Sequence, residues 1–414
     1  MLGRIIVLLM ACHATLYLNF YIQKGLLLKR TQDWDVILGL SAITSATLLF
    51  TAALSKIRNL SYRLFFYSHV ALSILLLPIL YLHVSHLRIY ILETVAVYAL
   101  LILQRNISQS TFPATIHRIP HANLLTITIP LKEHFRSRTY SPWRHYSTGQ
   151  HIYIGFPSLR EKLRINPFTI AIPPSQAISS ESLKLVVRSL SGTTAMLDQL
   201  ASSANAHSLL TIEGPYGAAK YFPDLAEKYD RILLVAGGVG ATFVLPIYQQ
   251  VIATATAETR VKLVWAVRER GDADWGGLDG TGIGGERGGN AGTPTSAAVR
   301  RDIELYLTGA TSPEGPRTMD DDDGIELQER SRPIIPNDDD KQDQVTSTKN
   351  ISIKAGRPDF QKIVDEVFND DDRGDSVAVL VCGPKGMGAA LRSEVGRWVG
   401  TSRDVFWHSE EFGW

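Results

Sequence analysis

Four stretches of this 414-residue chain are long and apolar enough to cross a bilayer as helices: Ile5 to Ile22, Val36 to Leu54, Leu64 to Leu82 and Leu87 to Leu103. A hydrocarbon core about 30 Å thick takes about 20 mostly apolar residues of helix. Between the runs come Lys24, Lys29, Arg30 and Asp33, then Lys56, Arg58 and Arg63, then Ser85 and His86. A cleavable leader accounts for the first run alone and not for four in series, so residues 1–104 read as a polytopic membrane domain. The flanking basic residues (Arg4, Lys56, Arg58, Arg63 and Arg105 against Lys24, Lys29, Arg30 and Arg88) are too evenly divided to set its orientation.

Behind this region the composition changes twice. Residues 112–270 read as mixed strand and helix, and residues 271–350 are rich in Gly, Asp, Ser, Thr and Pro. The balance of 42 Lys+Arg against 41 Asp+Glu is therefore a sum over unlike parts. It leaves no basic patch for a nucleic-acid partner. Cys12 and Cys382 lie far apart and build no disulfide framework or cysteine zinc site.

A histidine in hydrocarbon is costly and marks a functional hypothesis, and His13, His69 and His83, the last directly after Leu82, are read as such. His69 and His83 are fourteen residues apart, which places them on one helix face roughly 21 Å apart along the axis. That is the arrangement a helix offers to two haems stacked across a membrane, each needing a second axial ligand from a facing helix. The first and third spans run parallel, so His13 is expected to meet His83 and hold one haem. The position that would partner His69 falls just before Met1, and the expectation is a chain that begins short of its upstream helices. A lone intramembrane histidine can instead hydrogen-bond a neighbouring helix. His86 has no assignment.

From Ala114 to Glu213, short alternating segments such as Leu125–Ile129, His151–Ile154 and Leu183–Val187 suggest a small antiparallel barrel. Within it, Asn166-Pro167-Phe168-Thr169 can set polar groups against a flat heterocycle. Arg188 and the turn Gly192-Thr193-Thr194 can take a pyrophosphate through a guanidinium and exposed N–H groups. After Gly214-Pro215-Tyr216-Gly217, the strand Arg231–Val235 runs into Gly237-Gly238-Val239-Gly240-Ala241-Thr242 and a helix, a nucleotide-phosphate site. A second strand, Val261–Val267, ends in Arg268, placed to meet a ribose 2′-phosphate or simply to be solvated. A third, Val377–Val381, opens onto Cys382-Gly383-Pro384.

Together these residues resemble the ferric reductase and NADPH oxidase superfamily, most closely the fungal ferric-chelate reductases. The likeness rests on the His69/His83 span, Asn-Pro-Phe-Thr, Gly-Pro-Tyr-Gly, Gly-Gly-Val-Gly-Ala-Thr, Cys-Gly-Pro and the closing Glu-Glu-Phe-Gly-Trp414. It implies an α-helical transmembrane domain (1–104) followed by a cytosolic ferredoxin-reductase-like module. That module comprises an antiparallel β-barrel FAD domain (112–217) and an α/β NADP-binding domain (228–414). It further implies that Pro167, Phe168 and Thr169 contact the flavin, with Asn166 beside them, and that Gly237, Gly238, Gly240 and Thr242 take NADPH phosphates. Cys382, Gly383 and Pro384 would lie beside the nicotinamide. Trp414 would stack on the flavin, or else pack on the last strand.

The chain departs from the resemblance in two ways. Asn166 stands where many relatives carry His, and four spans with three histidines replace the six or seven spans and four histidines of the family. The implied cofactors are FAD, NADPH and haem b, two haems in a full-length relative and one or fewer here. The implied acceptors are ferric or cupric chelates, siderophores included, outside a plasma membrane, for metal uptake. A superoxide-generating NADPH oxidase and a truncated, non-catalytic membrane protein are the alternatives. Two segments within about 271–350, Gly276–Gly292 and Thr311–Asn350, carry the composition of disorder. Between them Asp302–Leu307 reads as a sheet strand. The acidic clusters Asp320–Asp323 and Asp338–Asp340 read as a solvated loop before a metal site.

Overall fold

The computed structural model describes residues 2–131, 146–157, 165–202, 207–256, 258–277, 300–309, 351–369, 376–399 and 404–411. The chain divides into two compact units, Met1–Ile107 and Ser108–Trp414.

The first unit holds the four expected spans as α1 (Leu2–Gln23), α2 (Trp34–Ala52), α3 (Tyr62–His83) and α4 (Arg88–Ser108). Their membrane-crossing stretches run 19 to 24 residues, about 28–36 Å at 1.5 Å per residue, so each matches a bilayer core. Hydroxyls within them fold back on their own helix: Thr15 donates to the Ala11 carbonyl, Ser41 to Ile37, Thr44 to Leu40 and Ser73 to His69. No donor is thus left bare in lipid at these positions. α2 packs against both α1 and α3. It buries Ala42, Ser45 and Ala46, small side chains that let helix backbones approach closely where no hydrophobic force distinguishes protein from lipid.

The second unit begins with an antiparallel sheet of six strands: β1 (Ser110–Arg118), β2 (Leu124–Pro130), β3 (His151–Gly155), β4 (Asn166–Thr169), β5 (Ser182–Arg188) and β6 (His207–Tyr216). They run in the order β4-β3-β6-β1-β2-β5. A bridge from Ile170 to Leu185 joins the two outer strands, so the sheet closes on itself. The alternation seen in the sequence is the inside of this barrel: Phe112, Ala114 and Ile116 of β1 meet Leu125, Ile127 and Ile129 of β2 in one buried cluster. Each of the larger side chains contributes about 1.5–3 kcal/mol by leaving water.

The second sheet is wholly parallel, as its continuous apolar strands require. Its strands are β7 (Arg231–Gly237), β8 (Arg260–Val267), β9 (Arg300–Leu307), β10 (Ile351–Ala355), β11 (Val377–Gly383) and β12 (Val405–Glu411), in the order β10-β9-β8-β7-β11-β12. Besides α5 (Thr193–Ala201) of the barrel, three helices matter here: α6 (Ala241–Thr254), α7 (Phe360–Phe368) and α8 (Lys385–Val399). Leu234 and Ala236 of β7 face α6, in a core shared with Leu124, Ala171 and Val186 of the barrel. Leu233 and Val235 face Ile363, Val364, Leu391 and Val395 of α7 and α8. The strand expected at 302–307 is β9. The two low-complexity segments fall largely outside the described residues, at 278–299 and 310–350.

Lys262 of β8 is nearly buried and donates to Asp302 (2.7 Å), Glu304 (2.9 Å) and Glu366 (2.9 Å). Glu304 also accepts from Lys354 at 2.7 Å and from the Tyr306 hydroxyl at 2.8 Å. This network ties β8, β9, β10 and α7 together on the far side of the sheet from the glycine-rich turn.

Candidate functional site

In the parallel sheet the strand order reverses between β7 and β11. An open α/β sheet binds its ligand outside the carboxyl ends of the strands at such a switch point. Here those ends are Gly237-Gly238-Val239-Gly240 and Cys382-Gly383-Pro384. The two turns touch. A Cβ on Gly240 would collide with the Cys382 carbonyl, and one on Gly237 would lie 2.9 Å from Pro384 Cδ. Gly238 adopts φ +54°, and its carbonyl accepts from the Trp265 indole at 3.0 Å. The turn is thus anchored from beneath, with the N-terminus of the 14-residue α6 following it. Backbone N–H groups and the helix dipole are available there for phosphate. Thr242 is buried and donates to the Val239 carbonyl at 2.9 Å, so its hydroxyl holds the turn.

Cys382 is fully buried. Burial pushes its thiol pKa well up, and the nearby Glu410 carboxylate adds to this. It therefore stands as a neutral thiol at physiological pH, an uncharged wall and not a nucleophile. Arg268 follows β8 and is exposed, with no side-chain partner among the described residues. Its carbonyl accepts from Gly309 at 2.9 Å, pinning the backbone beside the adjacent strand.

On the barrel, β4 lies against β3, with Asn166 opposite Ile154, Pro167 opposite Tyr153, Phe168 opposite Ile152 and Thr169 opposite His151. Thr169 is buried. Arg188 ends β5, half-exposed, with Asp272 at 3.9 Å. Gly192 takes φ +64° with open space where a Cβ would be, and α5 begins at Thr193, itself buried. Thr194 donates to the Ser191 carbonyl and accepts from Leu190 N–H, shaping the turn. A guanidinium with spare donors beside an uncluttered glycine turn and a helix N-terminus fits a pyrophosphate. Gly214-Pro215 is a cis peptide, and Gly217, at φ +121°, lies against the His151 ring.

Sequence reasoning missed several groups here. The rings of His151, Tyr153 and Tyr216 cluster within 5.6–6.3 Å. Burial lowers the pKa of His151, with Glu410 opposing, so the imidazole is neutral near pH 7. Glu410 thus acts electrostatically on both the barrel histidine and Cys382, and its carboxylate is 3.0 Å from His408. Only the Gly-Gln-His start of β3 could have signalled His151. Trp414 lies outside the described residues.

In the spans, His83 Nδ1 lies 2.7 Å from the Asp35 carbonyl of α2. His69 Nδ1 is buried without a hydrogen-bond partner, and its ring packs on Phe65. His13 is exposed and packs on Tyr17 of its own helix. The expected meeting of His13 with His83 is not seen among the described residues. α2 stands between their helices and takes His83 itself. The donor chemistry at His83 nevertheless fits an axial haem ligand, because a carbonyl only accepts. Nδ1 therefore carries the proton and Nε2 the lone pair.

Three family models match the chain in succession. Residues 1–80 match the ferric reductase like transmembrane component, residues 98–220 an FAD-binding domain, and residues 229–281 and 293–396 the ferric reductase NAD binding domain. A probable metalloreductase of Meyerozyma guilliermondii is 21% identical over 390 residues, 93% of this chain and 71% of that one. Ferric reductase transmembrane component 6 of Saccharomyces cerevisiae is 24% identical over 397 residues, 92% and 50% of the two chains. Ferric/cupric reductase transmembrane component 2 of Schizosaccharomyces pombe is 24% identical over 310 residues, 63% and 52%. The chain thus spans between about half and seven-tenths of the length of these relatives. Among solved structures, the cytochrome P450 reductase GcoB of Amycolatopsis matches with a TM-score of 0.45 at 16% identity, over 73% of this chain and 70% of that one.

Proposed function

Given that the chain belongs to the ferric reductase family of transmembrane oxidoreductases with FAD- and NAD-binding domains, we propose that it moves electrons from cytosolic NADPH through FAD and haem across the plasma membrane. The acceptors are ferric or cupric chelates outside, and the purpose is metal uptake. The observation that carries this reading is the convergence of the Gly237–Gly240 and Cys382–Pro384 turns at the switch point of the sheet, in a chain that also carries four spans.

When bound, NADPH supplies a hydride, FAD accepts the pair and releases single electrons, and haem carries one at a time. The residues here do the holding. Gly237, Gly238, Gly240 and Thr242 hold phosphate at the start of α6, and Arg268 adds a guanidinium for the 2′-phosphate. Arg188 and Gly192 to Thr194 hold the FAD pyrophosphate. Asn166 to Thr169 line the flavin edge of β4. Neutral Cys382 and Gly383 leave room for the nicotinamide. His83, and His69 with its orphaned nitrogen, hold haem iron. Since NADPH is cytosolic, the module after α4 is cytosolic, which sets an orientation that the charge count left open.

The test is anaerobic reduction of a ferric chelate by the purified chain with NADPH. Chelate-dependent oxidation of NADPH under argon supports the reading. Activity that requires O2 and is abolished by superoxide dismutase would replace it with an oxidase. Absence of haem absorbance and of NADPH-dependent flavin bleaching would leave a non-catalytic membrane protein.

A further inference from the structure

His83 is held from outside its own helix by two features of α2. Its Nδ1 reaches the Asp35 carbonyl at 2.7 Å. One turn deeper, its ring lies against Gly39, where an added Cβ would come within 2.7 Å of Cε1, 3.2 Å of Nε2 and 3.3 Å of Nδ1. The second approach depends on the first residue type: backbone is the only surface that lets the ring settle so close to α2, and glycine is the only residue that presents bare backbone. Gly39 also lies on the small-residue face that continues through Ala42 and Ala46, both buried, along which α2 and α3 pack.

A backbone carbonyl has lone pairs and no proton, so the hydrogen bond fixes the tautomer: Nδ1 is protonated and Nε2 is not. Among the described residues no donor reaches Nε2. A histidine in this state is a metal ligand whose second nitrogen is already oriented, the arrangement that sets ring angle and basicity at metal sites. His69, fourteen residues earlier on the same face, has no such support, and its Nδ1 is unpartnered. The two intramembrane histidines of α3 are therefore not equivalent.

We infer that Gly39 and the Asp35 carbonyl are positioning groups of α2 that preset His83 as the Nε2 axial ligand of one haem. This rests on the proposed reading that His83 holds haem. It makes α2, a span with no histidine of its own, part of the haem site.

The experiment uses the whole chain in nanodiscs, comparing wild type with Gly39→Ala and with Gly3→Ala as a control, since a Cβ at Gly3 meets nothing within 4 Å. Haem per chain, the haem absorption spectrum and the midpoint potential are read in each. Gly39→Ala is expected to lower haem affinity about tenfold or more, with a shifted potential in whatever haem remains, while Gly3→Ala matches wild type. Wild-type haem content, spectrum and potential in a folded Gly39→Ala chain would overturn the inference.

A second measurement stands apart from haem loading and from the folding of the variant. In the 15N-histidine spectrum of the haem-free wild-type chain, with the His83 signals assigned by their loss in His83→Gln, Nδ1 is expected to be pyrrole-like and Nε2 pyridine-like. The reverse pattern, or rapid exchange between the two, would overturn the inference. A wild-type chain that takes up no haem would instead overturn the functional reading, and the nitrogen spectrum would still decide whether α2 fixes the tautomer.

Discussion

Gly237 and Gly383 face each other across the switch point so closely that a Cβ on either would stand 3.3 Å from the other's Cα. The Gly383 substituent would also lie 2.7 Å from Met387 Sδ, and that of Gly237 2.8 Å from the same sulfur. Methionine can yield; Pro384, 2.9 Å from the Gly237 substituent, cannot. Gly237→Ala should therefore force the two turns apart at a cost of about 1–3 kcal/mol. The expected outcome is a fall of tenfold or more in the rate of flavin reduction by NADPH, measured by stopped flow, with FAD content unchanged because the barrel is untouched.

Arg268 tests the choice of nucleotide. An exposed guanidinium with no described partner is free to meet a 2′-phosphate, and a hydrogen bond to a charged group contributes about 1.5–3 kcal/mol. Arg268→Ala should lower kcat/KM for NADPH by about ten- to a hundredfold and leave that for NADH nearly unchanged. Equal loss with both nucleotides would place Arg268 in a structural role.

The thiol of Cys382 should be inert in the folded chain. Burial, with Glu410 beside it, raises its pKa above that of a free cysteine, so the thiol stays neutral where an unfolded thiol ionises. A folded pKa above the unfolded one means that this contribution to stability is intact below about pH 8.5 and is lost as pH rises beyond it. Alkylation followed by mass spectrometry at pH 8 should label Cys382 slowly in native protein and rapidly in denaturant. Fast native labelling would show an open, ionised thiol.

Lys262 carries the opposite lesson about charge. Burial alone would lower its pKa, but hydrogen bonds to Asp302, Glu304 and Glu366 outweigh this and raise it. Burial alone would raise Glu304, but Lys354, Lys262 and Tyr306 hold it below the usual carboxylate range. Lys262→Met removes the central cation and leaves buried Glu304 with Lys354 alone beside the half-exposed Asp302 and Glu366, a loss of about 1.5–3 kcal/mol visible in urea unfolding at pH 7. Wild type should lose the Glu304 contribution as pH falls from about 4.3 through the depressed folded value. Lys262→Met should lose less over that interval, because protonation relieves its repulsion.

These residues also show what a sequence discloses. The spans, β7, β11 and the turns after them were readable because each is a contiguous run whose chemistry sits within ten residues. Lys262 was not. It interrupts the apolar strand Val261–Val267, and its partners are 40 to 104 positions away. The spacing of His69 and His83 could not say which helix His83 meets. The answer is α2, because Gly39 offers closer approach than any residue with a side chain. Glu410 was likewise hidden, since only the register of β12 beside β11 brings it opposite Cys382.

The segment between β9 and β10 offers the last prediction. The two strands are parallel and in register, Ile303 with Ile351 through Leu307 with Ala355, so the chain must return from the end of β9 to the start of β10, about 13 Å along the strand direction at 3.3 Å per residue. A parallel pair needs a connection of about a dozen residues, and the chain provides the 43 residues from 308 to 350. Replacing residues 313–342 with nothing leaves 13, enough to close the crossover. Because loop entropy grows only as the logarithm of length, the shorter connection changes stability by about 1 kcal/mol in its favour. The shortened chain should therefore keep its FAD content, its NADPH-dependent flavin reduction and a urea midpoint at or slightly above that of wild type. Cutting further, to about five residues, falls well below the dozen that a parallel crossover needs and should detach β10. Lys354 would leave Glu304 with it, and the midpoint should fall sharply. If the 13-residue connection already abolished flavin reduction in a folded chain, the acidic segment would have a direct part in the chemistry of the nucleotide site.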